Sequence, residues 1–301
     1  MKNKRWYLKS TLNNENNIIS QILRNRGISE DEESDFLNIS LSNLDDPYIF
    51  KDMDKAVDII INTIENDGKI IIYGDYDVDG ITSTSLLLIF FRDYLDYKVD
   101  YYIPDRKEEG YGLNEDSINE IISENYDLMI TVDCGITAFE EIELANNNNL
   151  KTIITDHHQP ANNLPKANSI INPHLKNCSY PFKKFAGVGV AFKLCQAIVK
   201  NKENKIINDE LKSFLDIVAL GTVADIVSLT GENRILVKKG LNLINKSNRL
   251  AFKILREKLS LLKKKITAGH ISFIIAPPFN ASGRMESANL GVEFLTTKDE
   301  N

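Results

Sequence analysis

Residues 69 to 85 read Lys-Ile-Ile-Ile-Tyr-Gly-Asp-Tyr-Asp-Val-Asp-Gly-Ile-Thr-Ser-Thr-Ser, and the fold can be worked out from this stretch. Its apolar start predicts a short strand over 69–73, and the residues after Gly80 predict a helix. Between the two, Asp75, Asp77 and Asp79 stand at alternating positions. Three carboxylates so close together repel one another. A divalent cation is the simplest way to offset that repulsion.

Two other interpretations compete with a metal-binding turn. The string Asp-x-Asp-x-Asp-Gly also opens an EF-hand calcium loop, which requires a Glu at its twelfth position. Counting from Asp75, the twelfth residue is Leu86, and a strand pattern precedes the turn where an EF-hand has a helix. The pattern therefore disfavours an EF-hand. A solvated acidic turn, which is a common feature of proteins, stays open on this segment alone.

Composition indicates an ordinary globular protein of one large or two smaller domains. The chain has 301 residues, 43% hydrophobic and 26% charged, with a formal net charge of −7. That charge argues against a general polyanion binder but not against an enzyme that concentrates carboxylates at a metal. Its three cysteines, Cys134, Cys178 and Cys195, fit neither a metal-ligand spacing nor a disulfide framework. The absence of a membrane-length apolar run and of a signal-peptide pattern predicts a cytoplasmic protein with no membrane partner.

The chain order predicts an α/β fold with a doubly wound, mainly parallel sheet flanked by helices. Residues 1–67 are predicted to form a helical N-terminal lead-in, with helices near 18–26, 31–37 and 53–65. Residues 68–230 alternate strand and helix patterns, which is typical of βαβ units. Residues 231–301 are predicted to be a helical C-terminal part. The predicted strands lie at 69–73, 98–103, 127–132 and 151–155, and the helices between them at 81–95, 114–124 and 137–147.

Polar side chains follow three of the predicted strands. Besides the aspartates after the first strand, Asp133 follows the third, and Asp156-His157-His158 follows the fourth. Ligands of parallel α/β sheets bind beyond the carboxyl ends of the strands. The three strand ends therefore predict a metal site at one edge of the sheet.

The remaining segments are less specific. Residues 156–185, with four prolines, are predicted to be an irregular loop. The Gly187-x-Gly189 element lacks the strand and third glycine of a dinucleotide fingerprint, so we interpret it as close packing at a helix start. The segments 211–220 and 232–262 are predicted helices. Asp225 follows the helix 211–220 and stands among apolar residues, where a carboxylate needs a partner. It is either a metal ligand or a structural residue, which would cap a helix or form an ion pair.

The end of the chain offers two basic elements. Residues 263–265 are three consecutive lysines, interpreted as a solvated turn, with contact to a phosphate backbone as the alternative. An apolar strand is predicted from Ile271, followed by a small-residue turn that ends at Arg284. This arginine is either a bidentate phosphate ligand or an ordinary surface residue.

Taken together, these motifs resemble the RecJ family of single-strand-specific DNA exonucleases, within the DHH phosphoesterase superfamily. The resemblance covers nearly the whole chain, including parts of the lead-in such as Leu23-Arg-Asn-Arg-Gly-Ile28. The residues that carry it are Gly74-Asp-Tyr-Asp-Val-Asp-Gly80, Val132-Asp-Cys-Gly-Ile136, Thr155-Asp-His-His158, Ala186-Gly-Val-Gly-Val-Ala-Phe-Lys-Leu194, Ala219-Leu-Gly-Thr-Val-Ala-Asp225 and Asn280-Ala-Ser-Gly-Arg284. The Asp-His-His motif alone marks the superfamily, whereas the Gly-Thr-Val-Ala-Asp and Asn-Ala-Ser-Gly-Arg elements point to the RecJ branch.

The resemblance implies roles for individual residues. It implies that Asp75 and Asp156 support the ligands rather than bind metal, and that His158, Asn280 and Arg284 contact the substrate phosphate. Asp133, His158 and Arg284 would be the catalytic residues. The implied metal ligands are Asp77, Asp79, Asp133, His157 and Asp225.

Three departures from the family pattern also carry expectations. Tyr73 replaces a frequent histidine, which predicts the loss of a contact near the metals. Pro278 replaces an arginine in the family's Pro-Arg-Ile-Asn, which predicts a weaker grip on phosphate. The chain also ends at Asn301, before the second core domain and the OB-type domain of the family, so we expect a missing C-terminal domain to complete the substrate groove.

The function implied by the resemblance is hydrolysis of single-stranded DNA from its 5′ end, in DNA repair and recombination. Mixed carboxylate and imidazole ligands suit two Mn²⁺ ions, with Mg²⁺ as a substitute. Single-stranded DNA is the expected partner, together with the missing domain or a single-strand-binding protein. Two alternatives stay open: a DHH phosphodiesterase acting on short oligoribonucleotides or cyclic dinucleotides, and an inactive binding module.

Overall fold

The structure is a computed structural model that describes residues 18–106, 109–246, 249–285 and 287–299. The side chains of Asp35, Ser282, Arg284 and Met285 lie outside this description. The chain separates into two units, one before and one after the boundary between residues 43 and 44.

The first unit contains two short helices, α1 (Ile18–Asn25) and α2 (Glu30–Leu37). A reciprocal cap begins α2. The hydroxyl of Ser29 accepts a hydrogen bond from the N–H of Glu32, and the Glu32 carboxylate accepts one from the N–H of Ser29. Both helices agree with the predicted helical lead-in, of which residues 1–17 lie outside the described part.

The second unit is built on a five-stranded, wholly parallel sheet. In chain order its strands are β1 (Ile70–Gly74), β2 (Asp100–Tyr102), β3 (Leu128–Val132), β4 (Lys151–Thr155) and β5 (Ser169–Ile171). Their order across the sheet is β2-β1-β3-β4-β5. β1 and β3 are buried along their whole length, as expected for central strands covered on both faces.

Helices connect and cover the strands. Three of them adjoin a π-helical turn: α4 is followed by the turn Phe90–Tyr94, and the turn Ile271–Ile275 joins α12 to α13. The helices of the second unit are α3 (Met53–Glu65), α4 (Val78–Ile89), α5 (Glu115–Ser123), α6 (Phe139–Asn147), α7 (Gly187–Glu203), α8 (Asp209–Ser213), α9 (Leu215–Ala224), α10 (Gly231–Lys246), α11 (Leu250–Lys258), α12 (Ala268–His270), α13 (Ala276–Met285) and α14 (Asn289–Thr296).

This topology confirms the predicted doubly wound α/β class. The chain runs outward from β1 to β2, then crosses back to β3 and continues to β5, so the winding direction reverses between β1 and β3. Right-handed crossovers then place helices on both faces of the sheet. The reversal point is where open α/β sheets bind ligands, and the acidic turns follow these same two strands.

Two secondary-structure predictions are wrong. Residues 156–185 contain a short strand, β5, which pairs in parallel with β4. Ile153 lies opposite Ser169, and Thr155 lies opposite Ile171. The apolar run from Ile271 is helical: Ile271 and Ile275 are buried, whereas Phe273 is 83% exposed. Burial four residues apart is the helical period, and a short apolar run does not distinguish helix from strand by itself.

The helical C-terminal part shares an apolar core with α4 and α9. α9 is buried along nearly its whole length and packs against α4 and α10. Residues from α4, α9, α10, α11, α13 and α14 contribute to one hydrophobic cluster. This cluster supports α9 and so positions Asp225 directly after it. The predicted domain boundaries at 67/68 and 230/231 stay predictions. No helix of the described residues is long and apolar enough to cross a membrane.

Candidate metal centre

Three strand ends stand side by side at one edge of the sheet. The pairing registers put Gly74 of β1 beside Val132 of β3, and Val132 beside Thr155 of β4. The next residue of each strand is therefore an aspartate: Asp75, Asp133 or Asp156. Parallel pairing thus brings together carboxylates that are far apart in sequence, as the sequence predicted.

The turn after β1 is organised by Asp77. This residue is the N-cap of α4, and its Oδ1 accepts hydrogen bonds from the N–H groups of Asp79 (2.8 Å) and Gly80 (3.0 Å). The cap uses one carboxylate oxygen. The other remains available for a cation.

Asp79 is held by the start of a different helix. The N–H of Gly187 donates to Asp79 Oδ2 at 2.5 Å, and the N–H of Val188 donates to Oδ1 at 2.9 Å. Both donors belong to the first turn of α7, where main-chain N–H groups lack partners within the helix. The start of α7 therefore fixes both oxygens of a carboxylate that is 1% exposed.

Gly187 also makes room for Asp133. A Cβ added at Gly187 would lie 2.6 Å from both Cβ and Oδ1 of Asp133, which only a glycine avoids. This confirms that the Gly-x-Gly element serves close packing at a helix start. Asp133 itself has a left-handed backbone, with φ of 61°. This conformation favours Asn, Asp and Gly, and it turns the side chain toward the other strand ends.

His157 faces three carboxylates. Its Nε2 lies 3.1 Å from Asp133 Oδ1, 3.8 Å from Asp225 Oδ2 and 3.9 Å from Asp79 Oδ2. Burial, reinforced by the neighbouring His158, lowers the pKa of His157 to about 4. The ring is therefore neutral near pH 7, which is the form of imidazole that binds metals.

The atoms that face one another here are an imidazole nitrogen and carboxylate oxygens. The ring of His157 is hydrogen-bonded to the main chain of Phe185. We assign the ring proton to Nδ1, because Nε2 is the nitrogen that faces the carboxylates. A lone pair on Nε2 then faces the oxygen of Asp133. Within the described residues, the buried atoms Asp133 Oδ1 and Asp225 Oδ2 have no hydrogen-bond partner. Such orphaned acceptors around one point fit a divalent cation.

The electrostatics lead to the same conclusion. Burial, with the charges of neighbouring aspartates, raises the pKa values of Asp79 and Asp133. Burial and the charge of Asp77 raise those of Asp75 and Asp225 to about 7. Each carboxylate is thus costly to ionise beside the others unless a cation neutralises them.

Candidate ligand atoms fall into three groups, with the atoms of each group within 4.8 Å of one another. The groups overlap, so they can hold more than one ion at a shared carboxylate. They comprise all five predicted ligands as well as Asp75 and His158. The groups are Asp79–His157–Asp225, Asp75–Asp77–Asp133 and Asp133–His157–His158.

Asp156 is buried and organises the two histidines. Its Oδ1 accepts hydrogen bonds from the N–H groups of His157 (2.7 Å) and His158 (3.0 Å) and lies 2.8 Å from His158 Nδ1. Its Oδ2 accepts from the N–H of Ile136 at 3.0 Å. Burial alone would raise the pKa of Asp156, but these bonds and the charge of His158 hold it below its usual value. The bond to Asp156 in turn raises the pKa of His158.

Asp225 caps the end of α9, not the start of a helix. Its side chain is 22% exposed and turned toward His157. The structural alternative of an N-cap is therefore not observed. α9 also lies close to Asp79, since a Cβ at Gly221 would be 3.1 Å from Asp79 Oδ1.

The predicted phosphate contacts are only partly described. Asn280 is half-buried in α13, and Arg284 lies near the end of the same helix, with its side chain outside the described residues. The predicted small-residue turn is a helix in the structure, and this helix approaches the acidic turn after β1. A Cβ at Gly283 would lie 2.2 Å from the carbonyl oxygen of Tyr76.

Tyr73 lies within the fold rather than at the carboxylates. It is fully buried, and its hydroxyl bonds to the carbonyl of Gly112 and to the hydroxyl of Ser117, both at 3.1 Å. Its ring stacks on Tyr102, with centroids 5.3 Å apart. The tyrosine therefore makes a polar contact of its own beneath the site.

Sequence reasoning missed two supporting residues. The Gly187 N–H clamp on Asp79 joins positions 108 residues apart. Asn172, directly after β5, donates from Nδ2 to the carbonyl of His158 at 2.9 Å and fixes the histidine loop from the far side. No local pattern marks the first contact. An amide directly after a strand could have marked the second, had β5 been predicted.

The fold and this centre define the class of protein. The chain belongs to the DHH family: residues 69–222 match the DHH family, N-terminal domain.

Among known proteins, the chain is similar to RecJ exonucleases, which confirms the resemblance seen in the sequence. It is 41% identical over 286 residues to the single-stranded-DNA-specific exonuclease RecJ of Bacillus subtilis strain 168, covering 94% of this chain and 35% of that protein. The chain thus spans about a third to a half of the length of these curated relatives.

Solved RecJ structures share the fold. An exonuclease RecJ bound to manganese superposes with a TM-score of 0.76 at 33% identity, over 86% of this chain and 63% of that chain. RecJ of Thermus thermophilus superposes with TM-scores of 0.76 as its Mn²⁺ complex and 0.66 as its Mg²⁺ complex. The identities are 29% and 26%, over 93% of this chain and 39% and 35% of those chains.

Proposed function

We propose that this chain hydrolyses phosphodiester bonds of single-stranded DNA, releasing nucleotides from the 5′ end, with two divalent metal ions. The observation that carries the proposal is the convergence of buried carboxylates on a neutral His157, with orphaned oxygens on Asp133 and Asp225. The similarity to single-stranded-DNA-specific exonucleases supports the substrate, and the 5′ polarity is what the resemblance to the RecJ family implies.

The proposed metals are Mn²⁺, with Mg²⁺ as a substitute, since solved RecJ relatives carry these ions. Two such ions generate a hydroxide nucleophile at neutral pH and stabilise charge on the phosphate oxygens. The ligands we assign to them are Asp77, Asp79, Asp133, His157 and Asp225.

The protein's own groups hold this ligand set and meet the substrate. The α7 start fixes Asp79, and Asp156 fixes both histidines, so the ligands are placed before substrate binds. His158 is 46% exposed, and its Nδ1 is engaged by Asp156. Its Nε2 is thereby directed outward as a donor to a phosphoryl oxygen. Asn280 and Arg284 on α13 are our candidates for the remaining phosphate contacts, with Pro278 supplying none.

The proposed biological setting follows from the substrate. A single-stranded-DNA exonuclease acts where DNA is repaired and recombined, which places it in the cytoplasm of a bacterium, with single-strand-binding protein as a candidate partner. Because the chain spans about a third to a half of its relatives, we propose that a further domain completes the groove for long strands.

The test is nucleotide release from 5′-labelled and 3′-labelled single-stranded DNA in Mn²⁺, with Asp133→Asn as the control. Asparagine also tolerates the left-handed backbone at this position, so this variant removes charge without new strain. Release from the 5′ end that disappears in the variant supports the proposal. Release only from short oligoribonucleotides would favour the small-substrate alternative. No release with intact Mn²⁺ binding would show that this part of the protein does not suffice for activity.

A further inference from the structure

The charge of this acidic protein is distributed unevenly. Residues 234–265 contain eleven lysines or arginines and one acidic residue, Glu257. The rest of the chain has 25 basic and 42 acidic residues. Such an uneven distribution of charge indicates an anionic partner. The net charge of the whole chain does not reveal this basic segment.

The densest part of this region is the turn of Lys263, Lys264 and Lys265. All three side chains are exposed, whereas the flanking Leu261 and Ile266 are each 1% exposed. Within the described ranges, no ion pair engages the three lysines. The turn is thus anchored at both ends by buried apolar residues and directs three unpaired charges to solvent.

Hydrogen bonds make this turn rigid. The guanidinium of Arg256 donates to the carbonyls of Asn245 (2.6 Å), Leu262 (3.1 Å) and Lys264 (3.3 Å). The side chain of Asn245 accepts from the N–H of Ile266 at 2.8 Å and donates to its carbonyl at 3.0 Å. A merely solvated turn does not require these bonds. They reduce the conformational entropy that binding must remove.

A helical run connects this turn with the metal centre. α12, the π-helical turn and α13 follow one another without a break from Ala268 to Met285. At the far end of the run, Gly283 packs against Tyr76 in the acidic turn after β1. At 1.5 Å per residue, Ala268 and Gly283 are roughly 22 Å apart. The three lysines precede the end of the run that is remote from the turn after β1.

We propose that Lys263, Lys264 and Lys265 form a contact surface for the phosphate backbone of single-stranded nucleic acid, several nucleotides away from the scissile phosphate. The surface holds the remainder of the strand while its end lies at the metals. This inference rests on the proposed function for the identity of the strand, but the charges and the rigid turn stand independently of catalysis. The alternative is that the lysines bind an acidic protein partner, and the test distinguishes this from binding of a nucleic acid.

The experiment uses the triple variant Lys263→Gln, Lys264→Gln, Lys265→Gln. The matched control is Lys55→Gln, Lys98→Gln, Lys151→Gln, which removes the same charge from exposed positions. Lys98 precedes β2 and Lys151 begins β4, so both lie at the edge of the sheet opposite the metal centre. Both triples carry Asp133→Asn, so that binding is measured without hydrolysis.

Fluorescence anisotropy with labelled oligo(dT) is recorded as a function of NaCl concentration. Loss of three phosphate contacts is expected to lower the slope of log K against log salt by about 2, and the affinity by about tenfold at moderate salt.

Two outcomes would overturn the inference: an unchanged salt slope, or an equal loss in the control triple. An unchanged slope would leave the acidic protein partner as the explanation of the lysines. Failure of the proposed function is distinguishable, because it shows as absent hydrolysis in the unsubstituted protein whatever the binding result.

Discussion

The N–H of Gly187 donates a hydrogen bond to Oδ2 of Asp79 at 2.5 Å, across 108 residues of chain. The Cα of the same glycine lies against Asp133, where a Cβ would be 2.6 Å from the carboxylate. One glycine thus sets the spacing between carboxylates delivered by two different strands.

Gly187→Ala is therefore expected to displace Asp133 and weaken Mn²⁺ binding at least about tenfold, the effect typical of losing a group that orients a metal ligand. Isothermal titration with Mn²⁺ measures it. Gly269→Ala is the control, because a Cβ there meets nothing closer than 3.7 Å. Unchanged affinity in Gly187→Ala would contradict the packing argument.

Stability of the metal-free protein is expected to fall as pH rises from about 6.5 to 8. The folded-state pKa values of Asp75 and Asp225 are raised to about 7, against about 3.9 in an unfolded chain. The folded state then binds more protons than the unfolded state, so the free energy of unfolding decreases with pH. The stability present at low pH is lost as pH passes through about 7.

Below about pH 6.5 His157 offsets part of this trend, by one proton against the two held by Asp75 and Asp225, so the window from 6.5 to 8 isolates the carboxylates. The lowered pKa of His157, about 4, means that the unfolded state binds the extra proton between about 4 and 6.5. Urea unfolding in EDTA across the pH range measures the trend, and Asp225→Asn should flatten it. Added Mn²⁺ should reverse the slope, since metal binding competes with protons. A metal-free protein that gains stability from pH 6.5 to 8 would refute the coupled carboxylate cluster.

Asp156→Asn is expected to lower the pKa of His158. The hydrogen bond that the His158 ring donates to Asp156 is the main cause of the raised pKa of His158, and the charge of Asp156 adds to it, so an uncharged amide weakens both effects. NMR titration of the His158 ring measures the change, with His174 as an internal reference that should titrate as before. A His158 titration that does not move would show that Asp156 does not control this ring.

Tyr73→Phe is expected to cost about 1–2 kcal/mol of stability, because it strips a buried hydroxyl from the carbonyl of Gly112 and from Ser117. Mn²⁺ affinity should stay unchanged, since the hydroxyl is bonded to Gly112 and Ser117 and not to one of the proposed ligands. Chemical denaturation and metal titration of the same preparation separate the two effects. A loss of Mn²⁺ affinity without a loss of stability would instead give Tyr73 a role at the metals.

The sequence by itself determined the sheet and the identity of the candidate ligands. Apolar segments of strand length alternate with helical patterns, and Asp75, Asp133 and Asp156 each follow such a segment directly. Because parallel strands end at one edge, strand order alone brings these side chains near one another. The strength of this local signal is why four of the five strands were predicted.

Only the tertiary structure decided the rest. The run from Ile271 was assigned to a strand because a short apolar segment is ambiguous until its packing partners are known. The clamp of Gly187 on Asp79, the bond from Asn172 to the His158 loop, and the burial that keeps His157 neutral all join distant segments. Their energies depend on desolvation and on distance in space, and neither is encoded in any window of the chain.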